Sequence, residues 1–278
     1  MHWKVIAGNT GVIETREAMI PLCKISENRI VLIDSGAVED PELILAIEQA
    51  GLTVAAVLCT HVHPDHIANN GLLVQKFGTR IYAPRVDIRA ERFVVEQFGA
   101  IRLSKNCLRY VPEYPILPTD SGEIVIEGAR FEVIDTKGHT EGHAAYVTPD
   151  GVCCVGDALV SEEMLKRLKL PFYECVKDAV LSMKTLQETN YPSYVISHRS
   201  IETRDSIKRT IQANLEKETQ LLGLLGEVSK HFDPHQDMSP FMKALGIVRQ
   251  ELIENAILQD CVKSYLSSLK AEELVEMI

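Results

Sequence analysis

The sequence predicts a mixed α/β chain with strands and helices interleaved through residues 1–230 and a helical C-terminal extension over 231–278. Three observations carry this expectation. Short β-branched runs such as Ile30-Val31-Leu32-Ile33 and Val152-Cys153-Cys154-Val155 are closed by Asp or Gly and read as buried strands. Between such runs, Leu43, Ile44 and Ile47 repeat at helical spacing. From Ile207 onward, Ile211, Leu215, Leu222 and Leu225 mark an amphipathic helix.

The elements follow in chain order. Residues 1–36 read as opening strands, with turns at Asn9-Thr10-Gly11 and Glu27-Asn28-Arg29. Pro41 to Ala50 reads as a helix stopped by Gly51, Val54 to Cys59 as a strand, and Ile67 to Phe77 as a helix closed by Gly78. Strands are expected at Ile81 to Ala83, and on both sides of Gly128 at Ile124 to Ile126 and Phe131 to Ile134. Glu162 to Leu168 and Val176 to Glu188 read as helices separated by Leu170-Pro171-Phe172-Tyr173. His231 to Pro240 breaks the amphipathic helix, and Leu245, Val248, Leu252, Ala256, Leu266 and Leu269 then mark further helix.

The chemistry concentrates in Cys59-Thr60-His61-Val62-His63-Pro64-Asp65-His66, directly after an apolar run. Imidazole and carboxylate are ligands for Zn, Fe, Mn or Co. Three histidines and an aspartate exceed what one open catalytic metal takes from a single loop. The H-x-H-x-D-H spacing therefore points to two neighbouring ions, with His61 and His63 turned to one and Asp65 and His66 to the other. Further metal-type side chains follow at Gly138-His139-Thr140-Glu141-Gly142-His143, Val155-Gly156-Asp157 and Ile196-Ser197-His198. Each follows the end of a short apolar run, which places the ligands on loops at strand ends. Singly, His139 or His198 would read as an ordinary satisfied histidine. The set reads as one site.

With Leu32-Ile33-Asp34-Ser35-Gly36 ahead of them, these motifs resemble the metallo-β-lactamase-fold hydrolase superfamily, in its glyoxalase II-like, general metallo-hydrolase branch. The resemblance covers roughly residues 1–230 and implies a four-layer αββα sandwich with metals at one edge of the sheets. It implies that His61, His63 and His139 hold the first metal, that Asp65, His66 and His198 hold the second, and that Asp157 bridges them. It also implies that Asp34 supports the ligand loop from behind and that His143 is structural. Two residues depart from the pattern. Arg199 follows the last histidine where the family often has Gly, and either meets an anionic group on the substrate or turns away to solvent or an acidic neighbour. Lys137 stands where Pro is common.

Paired divalent ions, with Zn expected and Fe or Mn as alternatives, would share a bridging water and lower its pKa toward neutrality. Asp65 would orient that hydroxide and relay its proton, and Asp157 would span both ions. No Gly-x-Ser-x-Gly elbow supplies a serine nucleophile. The expected reaction is hydrolysis of a carbonyl ester, thioester or lactone by a metal-bridged hydroxide. A phosphodiesterase or ribonuclease is the alternative. Behind it stands an iron-dependent oxidoreductase, of the persulfide dioxygenase or di-iron type. Against the di-iron type, Pro64 stands where those relatives typically carry Glu.

Composition narrows the partners. The 278 residues are 46% hydrophobic and 24% charged, ordinary for a globular protein. The net charge of −10 disfavours nucleic acid, although residues 80–109 hold seven basic side chains (Arg80, Arg85, Arg89, Arg92, Arg102, Lys105 and Arg109) against three acidic ones. That run reads as a solvated face or as a guide for an anionic substrate. No apolar stretch is long enough for a membrane span, and the first ten residues lack the pattern of an export signal. Seven cysteines without a Cys-x-x-Cys pair fit a reducing cytoplasm. A small-molecule substrate is expected, with the C-terminal helices serving as a cap over the cleft or as a homodimer element.

Overall fold

A computed structural model describes residues 3–15, 18–88, 114–249 and 255–269. The chain divides into two compact units, the first formed by Met1–Asp135, Gly142–Asp157 and Asn190–Asp205. This unit holds two sheets. The first takes β1 (Lys4–Ala7), β2 (Thr10–Glu14), β3 (Met19–Lys24), β4 (Arg29–Ile33), β5 (Thr53–Leu58), β6 (Arg80–Pro84) and β7 (Ile116–Thr119), in that spatial order. The second runs β13-β12-β11-β10-β9-β8, from β8 (Gly122–Ile126), β9 (Ala129–Asp135), β10 (Ala144–Val147), β11 (Val152–Gly156), β12 (Ser193–Ile196) and β13 (Ser200–Thr203).

Alternation along β4 explains how the first sheet is covered. Ile30 and Leu32 pack with Leu43, Ile44 and Ile47 of α1 (Pro41–Gln49) and Leu73 of α3 (Asn70–Phe77). Val31 and Ile33 face the other way, into a core shared with Phe131, Val133, Tyr146 and Cys154 of the second sheet. A bulge resets β5, because Ile30 pairs with Val54 but Val31 with Ala56. Ala55 and Ala56 thus both join the core between the sheets. The pairs β4·β5, β5·β6, β6·β7 and β11·β12 are parallel, so four neighbouring strand ends in the first sheet and two in the second point the same way.

The second unit comprises Thr136–Glu141, Ala158–Thr189 and Ser206–Ile278. It contains α4 (Glu162–Leu165), α5 (Val176–Glu188), most of α6 (Arg204–Ser229), α7 (Ser239–Ala244) and α8 (Ala256–Ser268). Asn214 of α6 binds both backbone groups of Val160, donating to its carbonyl at 2.8 Å and accepting its N–H at 3.0 Å. Ser264 of α8 accepts the N–H of Val176 at 3.0 Å and so caps α5. The helices that follow residue 230 therefore share one unit with α4 and α5.

The element expectations need several corrections. The first hairpin turns at Gly8-Asn9, not Asn9-Thr10-Gly11, since Gly8 takes φ 50° and Asp150 accepts the Asn9 N–H. The helix expected from Ile67 to Phe77 is two pieces, α2 (Pro64–Ile67) and α3. Asn69, at the break, donates to the carbonyls of Ser35 and Val38 and accepts from Asp40 N. Past α7 the helix stops at Gly246, at φ 71°, and Val248 is 73% exposed. The segment read as a break through Pro240 already starts α7 at Ser239, with the proline in its first turn. Leu252, and Arg89, Arg92, Arg102, Lys105 and Arg109 of the basic run, lie outside the described residues. Of the others, Arg80 pairs with Glu127 at 3.4 Å and Arg85 with Asp120 at 2.7 Å.

Candidate metal centre

Strand ends deliver the predicted side chains. Asp34 follows β4, His61 to His66 follow β5 and run into α2, Asp157 follows β11, and His198 stands in the β12–β13 hairpin. Pro64 at the first helical position starts α2, which carries Asp65 and His66. Two backbone bonds, Ser35 N to His66 O and Ala68 N to Gly36 O, fix that turn to the end of β4.

Asp34 orders the loop. It takes φ 60°, a conformation that Asp tolerates better than most residues. Its buried carboxylate accepts the Thr60 N–H at 2.7 Å, the Thr60 hydroxyl at 2.9 Å and His66 Nδ1 at 2.8 Å. A carboxylate can only accept, so His66 carries its proton on Nδ1 and presents Nε2. The same logic extends to His61. Thr60 spends its one hydroxyl proton on Asp34, so His61 Nδ1, 3.0 Å from that oxygen, donates to it. His61 Nε2 is then the atom offered to a ligand, and the His61 and His63 rings lie 4.4 Å apart in a T-shaped arrangement.

Asp65, His66, Asp157 and His198 converge, each offering one ligand atom within 4.8 Å of the others. Asp157 Oδ2 lies 3.3 Å from His66 Nε2 and 3.2 Å from His198 Nε2. Asp65 Oδ2 lies 3.9 Å and 3.5 Å from the same two nitrogens. Four donors each about 2.1 Å from a central ion in a tetrahedron would stand about 3.4 Å apart. The group fits a small divalent cation. His66 Nε2, buried and 3.3 Å from Asp157 Oδ2, faces this space.

The electrostatics agree. Burial works against ionisation of Asp157, but the charges of His66 and His198 outweigh it and hold the carboxyl well below its ordinary range. Asp65 is likewise lowered, against burial, chiefly by His66 and by the hydrogen bond from His198. Asp157 pushes His198 up to about 10. Burial opposes the charge on His66, yet Asp157, Asp34 and Asp65 raise it well above the usual imidazole value. Two ionised carboxylates facing two protonated imidazoles are a set that exchanges its protons for a metal ion.

Gly156 permits the approach at the end of β11. At φ 56°, a Cβ there would stand 2.7 Å from His143 Nε2 and 2.8 Å from the Thr60 side chain. His143 is fully buried and its Nε2 accepts the Asp157 N–H at 3.2 Å, which is a supporting role. His139 belongs to the second unit, on the stretch that leaves β9 at Asp135 and returns at Gly142. Its Nδ1 donates to the Phe172 carbonyl at 2.9 Å, which turns Nε2 into the acceptor. Arg199 takes φ 72° and its guanidinium donates to the Thr15 carbonyl at 3.3 Å. Thr60, the residue that orients His61, sits inside the ligand motif but announced no role of its own.

A family model described as the metallo-beta-lactamase superfamily matches residues 8–198. The chain belongs to the metallo-beta-lactamase superfamily. Among curated relatives it is 30% identical over 138 residues to a hydroxyacylglutathione hydrolase of Chromohalobacter salexigens, covering 49% of this chain and 45% of that protein. Hydroxyacylglutathione hydrolase GloC of Haemophilus influenzae is 30% identical over 141 residues, covering 48% and 62%. The chain spans about half the length of the curated relatives it matches.

Solved structures place the superfamily fold over nearly the whole chain. The metallo-beta-lactamase family protein TTHA1429 from Thermus thermophilus superposes with a TM-score of 0.67 at 18% identity, over 94% of this chain and 92% of that one. TTHA1623, solved in a di-iron-bound form, superposes with a TM-score of 0.58 at 26% identity, over 74% and 98%. The α/β metallo-beta-lactamase fold with C-terminal helices expected from the motifs is the one found.

Proposed function

We propose that this protein is a binuclear metal-dependent hydrolase acting on a thioester. The observation that carries the proposal is the Asp65–His66–Asp157–His198 group, whose spacing suits one ion, beside His61 and His63, whose loop supplies a second. His139 is the proposed third ligand of that second ion, with Asp157 reaching both. The thioester comes from the relatives named hydroxyacylglutathione hydrolase. Divalent ions bound there would lower the pKa of a shared water and polarise the carbonyl under attack.

The protein's own residues do the rest. Asp65, with 37% of its side chain exposed, is the ligand open to the solvent side, where it can orient the attacking water and take its proton. Asp34 and Thr60 keep the imidazoles in the tautomers that present Nε2. Zinc suits the nitrogen and oxygen donors, and iron remains a second reading because TTHA1623 was solved with two irons. Arg199 is a candidate for an anionic end of the substrate, and the C-terminal helices for substrate selection. A cytoplasmic setting fits the free cysteines, of which Cys23, Cys59, Cys153, Cys154 and Cys261 are buried. No helix among the described residues is long and apolar enough to cross a membrane. A homodimer through the C-terminal helices gains no support.

The test is turnover of a thioester and of a phosphodiester, side by side, by protein reconstituted with Zn, Mn or Fe. Thioester turnover alone is expected, and phosphodiester turnover alone would replace the proposal with its alternative. Asp157→Ala and His61→Ala should lower kcat at least a thousandfold, on the order of 4 kcal/mol of barrier. Their circular dichroism should match wild type, since both residues lie beyond strand ends. Full turnover by Asp157→Ala would end the two-ion reading.

A further inference from the structure

Strand β6 runs directly into a helical turn at residues 85–88, and Asp87 within that turn is 1% exposed. It belongs to neither ligand group. Its Oδ1 accepts the backbone N–H of Gly142 at 2.8 Å, 55 residues further along the chain. A Cβ on residue 142 would stand 2.5 Å from that oxygen, so the approach needs glycine. The next residue is His143, whose Nε2 accepts the Asp157 N–H at 3.2 Å. Asp157 is in turn the carboxylate that meets His66 and His198.

Strand β10, which starts just after His143, reaches the ligand loop from behind. Three residues past His143, the Tyr146 hydroxyl lies 3.1 Å from the Cys59 carbonyl and donates to it, and stands 3.0 Å from Thr119 Oγ1. Residues 142–146 are therefore held by hydrogen bonds at both ends. At one end is Asp87; at the other is the residue before the ligand loop.

We propose that Asp87 is a positioning residue for the metal centre. By holding Gly142 it seats His143 behind Asp157, and so sets where the Asp157 carboxylate stands between its two imidazoles. A buried carboxylate receiving a backbone N–H is a strong, directional tie, and partners one shell beyond a metal's ligands commonly change its affinity 10–100-fold, as an order of magnitude. The proposal rests on the metal-centre reading above.

The test uses cobalt(II), titrated into metal-free full-length protein against a competing chromophoric chelator. Asp87→Ala is expected to weaken binding at the Asp157 site roughly 10–100-fold and to shift the visible absorption of the cobalt protein. For the thioester, kcat should fall while KM changes less than about twofold. Asp87→Asn keeps an oxygen for the Gly142 N–H and should restore affinity, spectrum and kcat. Gly142→Ala retains Asp87 but forces it away, and should reproduce the loss. It decides the matter if Asp87→Ala does not fold. Wild-type affinity and spectrum in either folded variant overturn the proposal. Misfolding of both makes Asp87 a folding residue and overturns it too. Wild-type protein that binds no cobalt defeats the metal-centre reading instead.

Discussion

Asp34 touches no proposed substrate position, yet it decides which nitrogens His66 and His61 can offer. Substituting Asn isolates that role. The amide oxygen can still accept the Thr60 N–H, now received at 2.7 Å. The amide N–H₂ would then face His66 Nδ1, which must accept, and the ring proton moves to Nε2, where it blocks a metal. Asp34→Asn should therefore lose zinc affinity by about 10–100-fold with a stability change within about 1–2 kcal/mol. A zinc competition titration beside a thermal melt checks both, and unchanged affinity would refute the tautomer argument. At this scale the sequence is legible where residues act as neighbours. Three histidines and an aspartate within six positions declare a metal loop, and Asp34 shows itself at a strand end. Asp87 gives no such sign, because its partner is a backbone N–H 55 residues away and no side-chain pattern records it.

On α6, Glu218 faces inward and is fully buried, against Tyr265 and Cys261 of α8. Burial pushes its carboxyl up to about 8, against smaller opposing pulls from the Tyr265 hydroxyl and Lys217. The unfolded chain ionises near 4.5, so between these values the folded state holds a proton that the unfolded state has released. Stability from this group is fully present below the unfolded value and falls by about 1.4 kcal/mol per pH unit until the folded carboxyl ionises. Glu218→Gln stays neutral throughout. Its melting temperature should rise relative to wild type from pH 5 to pH 8 and then run parallel. A constant difference across that range would contradict the argument. The helix pattern around Glu218 was legible because apolar spacing alone specifies α6. Polar contacts hid other elements. Asn69 divides α2 from α3 through bonds to a loop some thirty residues earlier, which periodicity does not weigh. Strand β13, Ser-Ile-Glu-Thr at the edge of its sheet, is too polar to read as a strand by itself.

Taken across the first unit, the apolar core and the ligand groups are separate assets. Ile30, Leu32, Val54 and Val57 are buried within the sheets, whereas the ligands begin where the strands stop. Without metal, the Asp65–His66–Asp157–His198 group is compensated internally, since the imidazoles hold the protons that the carboxylates have lost. Asp34 and Asp157 each keep an imidazole partner without the ion, so neither buried carboxylate is left unpaired to unfold the sheets. Chelation should accordingly leave the circular dichroism intact while lowering the melting temperature. A metal at a hundred times its dissociation constant adds about 2.7 kcal/mol. For a protein of this size that corresponds to roughly 5–10 °C. Differential scanning calorimetry of the protein with zinc and after exhaustive chelation measures the shift directly. Loss of secondary structure on chelation would mean that the metals hold the sheets together, and the strand-end loops could no longer be treated as fittings on a self-sufficient core.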